Sequence, residues 1–307
     1  MWKLFGGFFL GWSLGSNDSA NIFGPSVAAG IIPYRIAVIL TSIFVIVGAI
    51  AEGPKVMDTV GKMTHLVPLT AFITAFSAAI TVGAMSYLSL PVSTSQAIIG
   101  AVLGVGLFYG QADFGKLGKV ILCWVLTPVG ALVISAISYL ILEKIFNKIF
   151  ISIKTQQNFF YISLLIAGCY GSYSLGSNNV ANVTGVYVGS GMLTPFMASL
   201  IGGLSIAFGV ITYSRKVIET VGKKIIVLSP YTAFVAQLST AVTVHIFTQV
   251  GVPVSSSQAV VGAVVGVGLI KSAKMVSRKT LIEIGIGWIA TPILPGIIAY
   301  FITFLLL

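Results

Sequence analysis

The heptapeptide Pro91-Val92-Ser93-Thr94-Ser95-Gln96-Ala97 returns 162 residues later as Pro253-Val254-Ser255-Ser256-Ser257-Gln258-Ala259. This repetition limits what the chain can fold into more than any other feature. A second polar stretch, Ser13-Leu14-Gly15-Ser16-Asn17-Asp18-Ser19-Ala20-Asn21, returns after 161 residues as Ser174-Leu175-Gly176-Ser177-Asn178-Asn179-Val180-Ala181-Asn182. Lys55 to Lys62 match Lys216 to Lys223, and Trp124 with Thr127-Pro128 match Trp288 with Thr291-Pro292. The motifs keep their order in both halves, so the chain reads as a tandem duplication of residues 1–150 and 151–307, with its boundary near 150–158.

The repeated polar motifs stand in very apolar sequence. Hydrophobic residues make up 57% of the chain and charged ones 8%, with a mean hydropathy of +1.04. A soluble domain of 307 residues has no interior large enough for that much apolar surface, so its solvent is lipid. The apolar runs are long and do not alternate, which selects helices over a barrel. The formal charge of +10 does not indicate a nucleic-acid partner, because Lys and Arg fall in short loops between apolar runs. Cys123 and Cys169 are single thiols in apolar segments, suited to packing rather than to a disulfide or a metal. The apolar N-terminal run carries one copy of the polar motif and is read as structure, not as a cleaved leader.

Each half predicts a first helix interrupted at the Asn motif (2–31; 159–190) and a second helix (33–51; 195–212). A polar, basic loop follows. An apolar arm then leads to the Pro-Val-Ser motif (65–90; 227–251), with a shorter arm after it (96–109; 258–270) and a closing helix (117–142; 280–306). The shorter arm has about 14 residues, or about 20 Å at helical rise, against a hydrocarbon core of about 30 Å. Two re-entrant helical hairpins are therefore expected, a pair of full crossings being the alternative. Either way each half crosses an odd number of times, so the second half is inverted. Lys3, Lys55, Lys62, Lys116 and Lys119 collect on the side of the N-terminus; Arg35, Lys144, Lys148, Lys154, Arg215, Lys216, Lys223, Lys224, Lys271, Lys274, Arg278 and Lys279 collect on the other. This bias places the central loop in the cytoplasm and both termini outside a plasma or inner membrane. The expected fold is an all-α integral membrane protein: an inverted-topology tandem repeat with broken transmembrane helices and two hairpin tips meeting near the midplane, as in alternating-access transporters.

The chemistry of the motifs divides in two. Ser93, Thr94 and Ser95, like Ser255, Ser256 and Ser257, follow a proline and begin a helix, where free N–H groups and hydroxyls favour an anion. Asn17, Asp18, Asn21, Asn178, Asn179 and Asn182 offer oxygens suited to a hard monovalent cation. The spacings Asp18–Asn21 and Asn179–Asn182 put each pair on one helical face, and Gln96 and Gln258 extend the acceptor set, with Ser93 and Ser255 beside them. Asp18 breaks the symmetry, because its partner is Asn179; a buried carboxylate of this kind holds a cation or carries a proton. No Lys or Arg lies near these motifs in sequence. A bound anion must then be balanced by co-bound cations and helix dipoles.

Ser-Leu-Gly-Ser-Asn-Asp-x-Ala-Asn with Pro-Val-Ser-Thr-Ser-Gln-Ala, each duplicated, resembles the inorganic phosphate transporter (PiT) family of sodium/phosphate symporters, over nearly the whole chain. The resemblance implies no enzyme and no cofactor, but phosphate as substrate with sodium or proton coupling, inverted repeats and a homodimer. Phosphate would be bound by Asn17, Asp18, Ser93, Thr94, Ser95, Asn178, Asn179, Ser255, Ser256 and Ser257. Sodium would be held by Asp18, Asn21, Asn179, Asn182, Ser93, Gln96, Ser255 and Gln258. Family members often carry a long hydrophilic central loop; here only residues 143–158 are available for one.

Other features carry less. His65 and His245 have Ile226 and Ala84 as equivalents and are expected to be interfacial or packing residues. Glu52 and Asp58 are read as solvated neighbours of Lys55, an outer cation vestibule being the alternative. The Gly-x-Gly pairs near Gly104 and Gly266 lack a Lys-Ser/Thr partner and indicate close helix packing. An uncoupled anion channel would need basic pore-lining residues, which the motifs lack. An enzyme acting on phosphorylated lipid would need a nucleophile with a base, and no such pair is present.

Overall fold

The computed structural model describes residues 1–87, 92–149, 153–225, 229–271 and 278–307. Pro91, Ile226, Lys274 and the centre of the expected 143–158 loop lie outside the described residues, as do the side chains of Lys148, Lys216, Lys223, Lys224, Arg278 and Lys279. The described chain is helical without a strand. A 3-10 turn at Trp2–Leu4 leads into α1 (Phe5–Asp18), α2 (Ala20–Ala28), α3 (Tyr34–Glu52), α4 (Pro54–Gly61), α5 (Pro68–Tyr87) and α6 (Thr94–Phe108). These are followed by α7 (Phe114–Ile149), α8 (Ile153–Gly189), α9 (Pro195–Ile225), α10 (Pro230–Val250), α11 (Ser256–Lys271) and α12 (Arg278–Leu306).

Among the described residues, seven helices are long and apolar enough to cross a bilayer, and α6 and α11 are shorter apolar helices. The exterior agrees with that reading. Ile39, Ile43 and Val47 of α3, Val125 and Val129 of α7, and Ile289, Ile293 and Ile297 of α12 are exposed, while serine, threonine and asparagine side chains fill much of the interior. A protein in lipid gains little by hiding apolar groups and much by pairing polar ones inside.

Three expectations are corrected. The first helix breaks as expected, at Ser19 between α1 and α2, but its counterpart does not, since α8 runs unbroken through Asn178–Asn182. The polar loop after the second helix is also helical: α4 in the first half, and a straight continuation of α9 in the second. Prolines stand near both places in the first half and are absent from the matching positions of the second. Pro25 lies within α2 and Pro54 starts α4, each lacking the N–H and crowding the preceding turn. Val186 and Arg215 occupy the matching positions and let the helix continue. Finally, most of the expected central loop is helix, because α7 extends to Ile149 and α8 begins at Ile153.

The packing is reciprocal. α1 lies on α9 and α3 on α8; α6 lies on α12 and α11 on α7; α5 backs α1, and α10 backs α8. Contacts repeat atom by atom under the exchange. A Cβ on Gly15 would strike the Ile206 carbonyl, and one on Gly176 the Val45 carbonyl; Gly100 faces the Pro292 carbonyl and Gly262 that of Pro128. Only a residue without a side chain permits backbones this close. The exchange brings α1, α2, α8 and the starts of α6 and α11 to the centre.

Candidate functional site

The turns before α6 and α11 touch each other. Ser95 Oγ donates to the Val254 carbonyl at 2.7 Å, and Ser257 Oγ donates to the Val92 carbonyl at 3.4 Å. This is the same contact made from both sides. Each helix starts on a serine cap: Ser93 Oγ accepts from Gln96 N–H and Ser255 Oγ from Gln258 N–H, both at 3.2 Å. The caps leave the other N–H groups of each first turn pointing out of the helix end. Ser255 and Ser257 hydroxyls lie 2.8 Å apart.

The Asn motifs close around these tips. From α8, Asn182 Nδ2 donates to Ser95 Oγ at 2.8 Å and to Asn179 Oδ1 at 2.9 Å, so the three-residue spacing does place both amides on one face. From the break between α1 and α2, Asn21 Nδ2 donates to Ser256 Oγ at 3.2 Å, and the Ser256 hydroxyl donates to the Asp18 carboxylate. All the residues expected to bind phosphate or sodium thus fall in one cluster, and none is more than 4% exposed. The cluster is occluded from every side. Among the described residues no Lys or Arg is buried, and Asp18 is the only buried carboxylate.

Several polar atoms in this cluster are buried without a hydrogen-bond partner: Asp18 Oδ1, Gln96 Oε1, Gln258 Oε1 and Asn182 Oδ1 as acceptors, Asn179 Nδ2 as a donor, and the Ser19 and Thr94 hydroxyls. Each unpaired buried group costs about 1–3 kcal/mol. Such a concentration at one point is characteristic of a site built for a ligand rather than for packing. Four bare oxygens and one bare amide suit a cation next to an anion.

Two of the expected ligands also fasten the turns. Asn178 donates to the Val252 carbonyl (3.1 Å) and to Thr248 Oγ1 (3.2 Å), and its Oδ1 accepts from Val254 N–H (2.9 Å). Both amide hydrogens are engaged, so Asn178 fastens the turn and has no donor for an anion. Asn17 is placed similarly, donating to Ser86 Oγ at 3.1 Å. Ser86 and Thr248 were not among the residues singled out in the sequence. The available signal was their matching position near the end of each apolar arm, polar in both copies. Gln237 was also missed; it accepts from Ser26 at 2.5 Å and donates to the Leu164 carbonyl at 3.0 Å. Beside it, a cavity of about 10 Å³ lined by Asn21, Gln237, Thr240 and Ser256 has room for about one water.

His245 takes the interfacial of its two expected roles, partly exposed near the end of α10. Its ring bonds to Glu52 and Tyr170, at the far end of α10 from Gln237.

Comparison with known proteins places this arrangement. The model of the phosphate transporter family matches residues 14–299. The chain belongs to the phosphate transporter family. It is 33% identical over 295 residues to a Methanocaldococcus jannaschii protein named "putative phosphate permease", covering 96% of this chain and 94% of the relative. It is 30% identical over 308 residues to a sulfate permease of Bacillus subtilis, covering 97% and 86%. A solved structure described as "the sodium-dependent phosphate transporter" superimposes with a TM-score of 0.84 at 25% identity, covering 99% of this chain and 98% of that one. The family and these relatives are transporters and permeases rather than enzymes, and the chain is a multi-pass membrane protein of that kind.

Proposed function

We propose that this chain is a secondary active transporter that imports inorganic phosphate by symport with sodium, through alternating access. The observation that carries the reading is the occluded cluster of unpartnered oxygens and donors with one carboxylate and no basic side chain. Phosphate would lie between the tips, held by Thr94, by the first-turn N–H groups, by the free amide of Asn179, and by Ser95, Ser256 and Ser257 once their hydroxyls turn from the Val254, Asp18 and Val92 oxygens to which they now donate. Sodium would take Asp18 Oδ1 with Asn21, Asn182, Gln96 and Gln258. Asp18 and Asn179 stand between the two ions. With no fixed cation nearby, the anion is strongly unfavourable until sodium arrives, and that dependence is the coupling.

The reciprocal contacts support two related repeats, residues 1–150 and 151–307; an odd number of crossings in each would orient them oppositely, and the Lys and Arg bias would put both termini outside. An exchange of this kind is what a two-fold relation between halves produces. Rocking one half on the other would expose the tips to each side in turn. A homodimer follows from the family resemblance. Sulfate is the second reading, favoured by the Bacillus subtilis relative.

Uptake of radiolabelled phosphate into proteoliposomes, with sodium and pH gradients imposed separately, tests the proposal. Uptake should saturate, collapse when potassium or choline replaces sodium, and resist excess sulfate. Full uptake on a proton gradient in sodium-free buffer would refute the sodium assignment, and stronger transport of sulfate would refute the substrate.

A further inference from the structure

One cluster of ionisable groups lies outside the site. Glu52, at the end of α3, receives four side chains. His245 Nε2 lies 2.8 Å and Gln249 Nε2 2.9 Å from its Oε2; Lys55 Nζ donates to Oε1 at 3.1 Å; and the Tyr173 hydroxyl also bonds to it. The opposite ring nitrogen of His245, Nδ1, is 2.7 Å from Tyr170 OH. Lys55 Nζ donates in addition to Gln249 Oε1 at 2.8 Å. Tyr170 and Tyr173 place their rings edge-on to the imidazole at 5.5 and 5.7 Å. Just beyond, Thr59 Oγ1 of α4 donates to the Gly251 carbonyl, where the chain turns at φ +75° towards the Ser255–Ser257 tip. Glu52 and His245 side chains remain 19% and 24% exposed, so protons can reach them.

We propose that Glu52 and His245 form a proton-operated latch that fastens the C-terminal end of α10, and with it the turn into the α11 tip, to the α3–α4 junction. The wiring accepts a proton without moving a heavy atom. A neutral ring has two tautomers: either Nε2–H donates to Glu52 and Tyr170 O–H donates to Nδ1, or Nε2 accepts from Gln249 Nε2, 2.9 Å away, and Nδ1–H donates to Tyr170. With a protonated ring both nitrogens donate, Tyr170 turns to accept, and the Glu52 contact becomes an ion pair. Charge-assisted bonds are about twice as strong as neutral ones. The latch is therefore tighter with the ring protonated than with it neutral. The ionisable groups reaching His245 are Glu52 from α3, Lys55 from α4 through Glu52, and Tyr170 and Tyr173 from α8. Asp58 is turned outward to Lys62; Tyr139 of α7, with Glu143 beside it, meets Tyr231 at the other end of α10.

The latch has no counterpart under the exchange that relates the halves. Tyr213 replaces Glu52, and Gly83 or Ala84 replaces His245. One of the two reciprocal seams is thus held by a titratable pair while the other is not, which biases which seam opens first. The latch acts on the arm and does not depend on the bound ion. Only its placement on the outer face rests on the orientation proposed above.

Hydrogen exchange of the full chain in nanodiscs, without sodium or phosphate, tests the latch apart from transport. After correction for intrinsic chemical exchange, the Val252 and Val254 amides should exchange several-fold more slowly at pH 6 than at pH 8. His245→Gln and Glu52→Gln should abolish that difference while leaving α6 and α12 amides protected as in the wild type. A difference that persists in both variants, or one absent from the wild type, overturns the proposal. If His245→Gln does not fold, Glu52→Gln alone decides in the same way.

Discussion

Asn178→Ala isolates the fastening of the hairpin from the chemistry of the ligand. The asparagine is fully buried and bridges the turn through the Val252 carbonyl and the Val254 N–H, at 3.1 and 2.9 Å. Alanine leaves both backbone groups buried and unpaired. At about 1–3 kcal/mol each, the turn is destabilised in its present position by about 2–6 kcal/mol. The turn can escape that cost only by moving towards water and carrying the Ser255–Ser257 tip with it. At about 1.4 kcal/mol per factor of ten, even the lower figure lowers the competent population, and hence apparent affinity, about 30-fold. Because the tip would contact both ions, phosphate and sodium should weaken together. Asn178→Asp keeps an acceptor for Val254 N–H but sets a buried carboxylate against the Val252 carbonyl, so it should be no milder than alanine. Apparent affinities from proteoliposome uptake, titrating one ion with the other saturating, measure this. A well-folded Asn178→Ala protein within about threefold of wild type for both ions would refute the reasoning.

Asp18→Asn should raise the sodium concentration for half-maximal uptake by more than tenfold, and Asn179→Ala should do so less; sodium titrations of uptake distinguish them, and equal, negligible effects would remove Asp18 from the cation site. Gly15→Ala and Gly176→Ala should damage the protein alike, because each added methyl meets a backbone carbonyl across the same kind of seam. Overpacking costs about 1–3 kcal/mol, visible as a matched drop in thermal melting of the purified protein; a large effect at one glycine alone would argue against the exchange. Thr248→Val should weaken both ions less than Asn178→Ala, since it removes one side-chain partner of Asn178 and orphans no backbone group.

The sequence alone determined that the solvent is lipid, that two sets of motifs recur in the same order, and which polar residues are gathered in those motifs. Those conclusions rest on composition and on motifs repeated in order, neither of which needs coordinates. Helix continuity was less legible. The Asn motif looks alike in both copies, yet one helix breaks at Ser19 while the other runs on through Val180, and the shared pattern does not tell them apart. The division of labour among the asparagines was not legible at all. Asn178 and Asn179 are neighbours of one type, but one turns to the Val252–Val254 backbone and the other to Ser95, and only the packing of α8 against α10 and α6 decides which. Glu52 and His245, 193 residues apart, could be paired only by the fold, because side chains far apart in sequence meet through packing that no local signal records.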